Sequence, residues 1–280
     1  MKLYISHWDG SEVRGLEPSF LIPHFVKTLK VKNPDVEIVF ISSQSFFNTL
    51  DLHTQGELTL MDIGDKFDHF EIKDWALVKL LMMCEIPDKY FIHLDYDIVW
   101  NYPVKEVVSY VHKNKIDLLY QRFEQLLLPH NYYFDFVNKY DYMKKMLSQV
   151  KDRFAYNAGI TFVGVKAKKD FIRHVNNYKL FELSTGAEEC AFEQLYIPTI
   201  MKLEGYHIDT LLNISKYLKK ESPLSYLSDR NVMDFGEYKY MNATGIFISS
   251  IGFFHFMGEI KKKENIKQII EHISGNITYT

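Results

Sequence analysis

Cysteine is almost missing from this chain, with Cys84 and Cys190 the only two in 280 residues. Two thiols cannot build a disulfide framework or a thiolate cluster for zinc or iron–sulfur. Cys84 follows the apolar run 80–83 and reads as a buried thiol. An excess of one charge is missing too. With 33 basic and 36 acidic residues, the chain lacks the basic face of a dedicated nucleic-acid binder. No window is apolar over the length of a membrane span. The opening Met1-Lys2-Leu3-Tyr4-Ile5-Ser6 reads as a strand, with no long apolar signal-peptide run behind it. The expectation is a reducing, cytoplasmic compartment. Neither G-x-G-x-x-G nor G-K-[ST] occurs, which removes the glycine-rich loops of dinucleotide-binding proteins and nucleoside triphosphatases. Internal repeats and heptads are also lacking.

What the chain has in quantity is aromatic side chains, 21 Phe and 19 Tyr. They suit pocket walls that stack on flat or sugar ligands, and they suit cores equally well. Along the chain, strands are predicted over 2–8, 36–41, 58–63, 90–94, 116–120 and 159–165. Helices are predicted over 19–30, with Pro23 in the first turn, and over 75–85 behind an Asp74 N-cap. Further helices are expected over 104–113, 168–177 and 188–203. The aromatic stretch 122–153 is helical in places, 213–235 is a polar connection, and short strands fall near 206–210, 237–241 and 246–249. Strands and helices alternating at this spacing predict an α/β sandwich around a mostly parallel sheet.

Asp95-Tyr96-Asp97 follows the apolar run 90–94, so two carboxylates stand where a buried strand reaches open space. Open α/β sheets bind ligands in the crevice outside the carboxyl ends of their strands. Oxygen donors of this kind suit Mg²⁺ or Mn²⁺ bridging a diphosphate, although an isolated D-x-D is more often a cap or turn. Two carboxylates leave a metal site incomplete. The best further donor is His255, in Gly252-Phe253-Phe254-His255-Phe256-Met257-Gly258-Glu259-Ile260-Lys261. Gly258 would permit close backbone approach, and Lys261 would neutralise phosphate charge. Equally, His255 could be a satisfied turn histidine and Lys261–Lys263 a solvated helix start. Asn157-Ala158-Gly159 is ordinary turn chemistry by itself, and Glu193-Gln194 lies within a helix whose Phe192, Leu195 and Tyr196 must pack.

Taken together and in this order, these motifs resemble metal-dependent glycosyltransferases of the GT-A fold, and in particular the retaining family-8 galactosyl- and glucosyltransferases. Asp95 and Asp97 match that family's D-x-D, Asn157-Ala158-Gly159 its N-[SA]-G, Glu193-Gln194 its acidic-Gln pair, and His255, Gly258 and Lys261 its H-x-x-G-x-x-K. Departures are a Glu where Asp is common, Lys262 where a proline follows the last lysine, and Lys79 as the nearest substitute for an arginine before the D-x-D. The segments 75–79 and 91–95 also resemble a little-characterised bacterial glycosyltransferase-like family.

The resemblance implies one GT-A domain over 1–280, a three-layer sandwich with a Rossmann-like nucleotide-sugar half at 1–120 and an acceptor-side, metal-completing half at 121–280. It implies transfer of a hexose from a nucleoside-diphosphate sugar, a UDP-hexose foremost, to a hydroxyl of a glycan or glycolipid. Mn²⁺ or Mg²⁺ would sit on Asp95, Asp97 and His255, with Lys261 helping. Asn157, Glu193 and Gln194 would meet the donor sugar, while Ser6, His7 and Trp8, at the end of the first strand, would neighbour the base. The aromatic segment 122–149 is the acceptor-side candidate, and the C-terminal Lys261–Lys263, Lys267, Ile266, Ile269 and Ile270 could approach an anionic membrane at the cytoplasmic face. Competing readings are a metal-dependent nucleotidyltransferase, a sugar-phosphate hydrolase, or an inactive nucleotide-sugar-binding module.

Overall fold

The alternation seen in the sequence becomes a seven-stranded sheet in the computed structural model. The structure describes residues 1–10, 16–100, 103–125, 132–151, 154–211, 232–235, 238–241, 246–249, 253–256, 267, 268, 270 and 271. The strands are β1 (Lys2–Ser6), β2 (Glu37–Ser42), β3 (Leu58–Asp62), β4 (Phe91–Leu94), β5 (Ile98–Trp100), β6 (Leu118–Gln125), β7 (Phe154–Val163) and β8 (Ile208–Thr210). All but β5 enter the main sheet, in the order β3-β2-β1-β4-β7-β6-β8. Strands β1, β2, β3 and β4 run parallel, β7 is antiparallel to both β4 and β6, and β8 is parallel to β6.

Helices cover both faces. Alternate residues of each strand point to opposite sides, so Leu3, Ile5, Ile38, Phe40, Ile92 and Leu94 join one core cluster and Tyr4, Val39, Ile41 and Phe91 the other. The first cluster is closed by α1 (Pro18–Lys32) and α5 (Val104–Lys113), through Ile22, Phe25, Leu29, Val107 and Val111. The second is closed by α4 (Trp75–Glu85), α6 (Tyr132–Lys139), α7 (Asp141–Gln149), α8 (Lys168–Asn176) and the helix from Gly186 to Leu203. These are the three layers expected. The small helices α2 (Gln44–Phe47) and α3 (Leu52–Glu57) lie between β2 and β3.

Several boundaries differ from the sequence expectation. β1 stops at Ser6, and His7 and Trp8 follow outside it. α1 runs straight through Pro23, because Pro18 already occupies the first turn and the buried stripe Leu21, Ile22, Phe25, Val26 continues across the one backbone bond Pro23 removes. Asp74 does not cap α4 with its side chain; its carboxylate accepts the Glu71 N–H at 2.8 Å and closes a 3₁₀ turn, Ile72–Asp74. The Leu77 N–H of α4 is instead taken by Glu189 Oε2 at 3.2 Å, from the helix beginning at Gly186. β6 and β7 are longer than the periodicity predicts, and Asn157-Ala158-Gly159 lies inside β7 rather than before a strand. Gln121 and Asn157, buried and polar, interrupt the apolar pattern there, while the ladder between the two strands carries on past a bulge at Tyr120 and Arg122.

The helix from Gly186 starts at a Thr185 cap that accepts the Glu188 N–H, and it changes character over Phe192–Tyr196, a π-helical turn. In the last quarter of the chain, β9 (Val232–Phe235) pairs with β10 (Tyr238–Met241). A separate antiparallel sheet joins β11 (Ile246–Ser249), β12 (Phe253–Phe256) and β5. β9 and β12 were not expected from the sequence. Among the described residues, no helix is long and apolar enough to cross a membrane. Ile270 is fully buried, and the Lys267 ammonium lies 5.3 Å from the centre of the Phe20 ring.

Candidate active site

The site lies where β4 ends. Asp95 follows its last residue, and the Asp95 N–H donates to the Gly159 carbonyl at 2.8 Å, so the Asn157-Ala158-Gly159 motif of β7 is stitched directly to the first carboxylate. One residue pair further back, Leu94 faces Ile160 in the ladder. Asn157 is buried, and its Oδ1 accepts the Gly159 N–H at 3.1 Å. The two motifs, about sixty residues apart in sequence, meet because β7 is antiparallel to β4.

Lys79 projects from α4 between two acids. Its Nζ stands 3.2 Å from Asp95 Oδ1 and 2.8 Å from Glu193 Oε1. Glu193 is almost wholly buried, at 1% side-chain exposure against 12% for Lys79 and 23% for Asp95. Burial works against the Lys79 ammonium, but Asp95 and Glu193 overcome it and hold its pKa above the ordinary lysine value. Burial pushes the Glu193 carboxyl up, against the pull of Lys79. A solitary lysine in Trp75-Ala76-Leu77-Val78-Lys79-Leu80-Leu81 was the sequence signal for this arrangement.

All five residues of the π turn 192–196 are buried. In an α-helix, successive residues are about 100° apart, so two adjacent polar residues seldom both face inward. The π turn packs against α4 and β7 and lets Glu193 and Gln194 do so. Gln194 Oε1 accepts a hydrogen bond from the Tyr133 hydroxyl and a longer one, 3.3 Å, from Tyr132.

At the end of β1, Ser6 Oγ is 2.8 Å from His93 Nε2, and burial followed by the nearby Lys79 charge keeps His93 neutral. His7 is buried between Phe46, with ring centres 3.8 Å apart, and Tyr96, at 5.9 Å. Burial lowers its pKa to about 4 despite Asp9 3.6 Å away. Trp8 belongs to the larger apolar cluster, with its indole packed over Gly10. Asp97 is buried beside Tyr96 in the turn.

His255 enters through strand register. In the small sheet it pairs with Ile98, the residue after Asp97. Gly258 and Lys261 lie outside the described residues. Among the described residues, no three His, Cys, Asp or Glu side chains converge as a metal-ligand set. The structure thus brings together Asp95, Lys79, Glu193, Gln194 and Asn157, and it lays the strand of His255 alongside the D-x-D turn. Sequence reasoning missed His93, whose signal was a histidine inside an apolar strand, and it took Tyr133 as part of the acceptor-side aromatic segment, not as a partner of Gln194.

No protein-family model matches the sequence, and no curated protein does. Solved structures do match. The glycosyltransferase GlyE from Streptococcus pneumoniae aligns with a TM-score of 0.51 and 9% identity, over 98% of this chain and 59% of that one. The galactosyltransferase LgtC, solved with donor and acceptor sugar analogues, aligns with a TM-score of 0.48 and 12% identity over 98% of this chain and 95% of that one. Mouse xyloside xylosyltransferase 1 aligns with a TM-score of 0.45 and 11% identity over 75% of this chain and 85% of that one. The chain has the fold of a solved glycosyltransferase.

Proposed function

We propose that the protein is a glycosyltransferase that moves a hexose from a nucleoside-diphosphate sugar, foremost a UDP-hexose, to a hydroxyl of a glycan or glycolipid with retention of anomeric configuration. The observation that carries this reading is the junction of Asp95 with Gly159 and, through Lys79, with Glu193. Three separately resembling motifs adjoin at the carboxyl end of β4, the end at which open α/β sheets bind ligands.

The donor set suits a hard divalent cation. Asp95 and Asp97 would supply carboxylate oxygens, and the backbone pairing of His255 with Ile98 supports His255 as the third ligand. Mn²⁺ or Mg²⁺ held by these three would act as a Lewis acid on the leaving diphosphate. The residues of the chain do the rest. As the bond between the anomeric carbon and the diphosphate oxygen breaks, negative charge grows on the phosphate, and Lys261 would offset it. Glu193 would hydrogen-bond the sugar hydroxyls or offer a carboxylate to the electron-poor anomeric carbon, while Lys79 keeps that buried carboxylate paired. Asn157 and Gln194 hold the sugar, and His7 with Phe46 and Tyr96 forms an aromatic wall at the nucleotide end. Exposed Phe134 and Tyr142 are candidates for acceptor contact.

The test is a screen of nucleotide sugars for metal-dependent hydrolysis, paired with calorimetry of UDP in the presence of Mn²⁺. Slow hydrolysis of one donor is expected, with UDP binding lost on adding chelator and in Asp97→Ala. UDP affinity that is indifferent to metal would overturn the metal assignment, and failure to turn over any nucleotide sugar would overturn the activity.

A further inference from the structure

Lys79 and Glu193 come from different helices, so the 2.8 Å between them depends on how those helices sit together. α4 carries Lys79, the helix from Gly186 carries Glu193, and the two pack against each other. The first four N–H groups of an α-helix have no carbonyl inside that helix to accept them. Leu77 is the third residue of α4, and the Asp74 side chain does not cap this end. Glu189 Oε2 accepts the Leu77 N–H at 3.2 Å, so the cap is supplied from the other helix. Glu189 stands one turn before Glu193, and Leu77 two residues before Lys79. The helices are thus joined at two neighbouring points, one through a backbone N–H and one through an ammonium. Glu189 is 1% exposed, so water does not readily replace its bond. The approach is also close: a Cβ on Gly186 would stand 2.9 Å from Trp75 Nε1 and 3.0 Å from the Lys73 carbonyl oxygen. Burial raises the Glu189 carboxyl to about 9, so near neutral pH it serves through its shape and acceptor oxygen, not through charge.

We propose that Glu189 is a positioning residue that caps α4 from the neighbouring helix and thereby sets the Lys79 ammonium between Glu193 and Asp95. A lysine stem is flexible, so the ion pair alone tolerates a slide of α4 along its axis. The bond to Leu77 does not, because a backbone N–H moves only with its helix. Without it α4 is free to shift, and the contacts of Lys79 with both carboxylates lengthen. What that pair does in catalysis rests on the glycosyl-transfer reading; the placement of Lys79 does not.

Glu189→Gln keeps the shape and an acceptor oxygen, whereas Glu189→Met keeps only the volume. Leu29→Ala weakens the fold from α1, on the opposite face of the sheet, and controls for a merely structural loss. In protein labelled with ¹⁵N-leucine, the Leu77 amide is identified by its loss in Leu77→Ile. Its exchange should be slow in the wild type and in Glu189→Gln, and about tenfold faster in Glu189→Met, the loss of one ordinary hydrogen bond. Acetylation of Lys79 by an N-hydroxysuccinimide ester, read by peptide mapping, should rise in Glu189→Met but not in Glu189→Gln or Leu29→Ala. With whichever nucleotide sugar the wild type hydrolyses, kcat should fall about tenfold in Glu189→Met, the scale of loss for a slightly misplaced group, while Glu189→Gln keeps most of it. Glu189→Asp, whose acceptor is withdrawn by one methylene, reads the same way if Glu189→Met does not fold. A fast-exchanging Leu77 amide in the wild type would overturn the cap. Lys79 as protected in Glu189→Met as in the wild type, or equally acetylated in Leu29→Ala, would overturn the positioning role. A wild type that hydrolyses no donor counts against glycosyl transfer, while exchange and acetylation still decide the placement.

Discussion

The two faces of the central sheet are built from different materials. The face under α1 and α5 is a continuous apolar cluster, and the polar groups buried there mostly serve the backbone: Thr28 accepts the Trp100 N–H and Asn33 the Val104 N–H. The face under α4 and the helix 186–203 holds Lys79, Glu193, Gln194, His93 and Glu189 among its aromatic side chains. Burying such groups is costly unless each finds a partner. One face thus holds the sheet against its helices, and the other carries the polar cluster of the candidate site. Stability on the second face depends on charge pairs being complete, and on the first it depends on volume.

Lys79→Met should break that contrast most strongly. It leaves the buried Glu193 and the partly buried Asp95 without their cation and should cost about 3–5 kcal/mol in urea unfolding. Adding Glu193→Gln should recover part of the loss, since the uncompensated charge is gone. A loss under about 1 kcal/mol would place this pair among surface ion pairs and erase the contrast.

The next effect is in pH. Burial, followed by a hydrogen bond with Asp74, raises the Glu189 carboxyl to about 9 from its ordinary 4.5. The folded state therefore holds a proton that the unfolded chain releases, so this group's stability is full below about 4.5 and drains away as pH rises through about 9. Melting curves at pH 5 and pH 9 should show the wild type losing stability at the alkaline end, and Glu189→Gln should flatten that slope. An identical slope in the variant would remove Glu189 from the account. Smallest of all, Ile92→Val on the apolar face should cost about 0.5–1.5 kcal/mol, equally at both pH values.

The same contrast marks what the sequence could disclose. Apolar alternation located β1, β2, β4 and the helices over them, because those residues obey the period of their element. The strand-end carboxylates were visible because they break an apolar run at its last residue. Glu193 and Gln194 were recognisable as a motif within a helix, but not as a pair that is buried together. Their joint burial comes from a π turn, which leaves no mark on periodicity because the neighbours Phe192, Leu195 and Tyr196 pack in either geometry. The extents of β6 and β7 were hidden for a related reason: Gln121 and Asn157 are buried for their polar groups, and a hydrophobic pattern cannot register them. The cap that Glu189 places on Leu77 joins residues 112 apart, beyond any local signal.

The pairing of β5 with β12 has a consequence in time. During synthesis at ~5–20 residues per second, the strand that carries His255 emerges ~8–30 s after the one it pairs with. Through that interval Ile98–Trp100 lacks β12 and presents an unpaired edge right beside the carboxylate turn. A nascent chain can thus hold much of its main sheet before the strand that pairs with Ile98–Trp100 has been made.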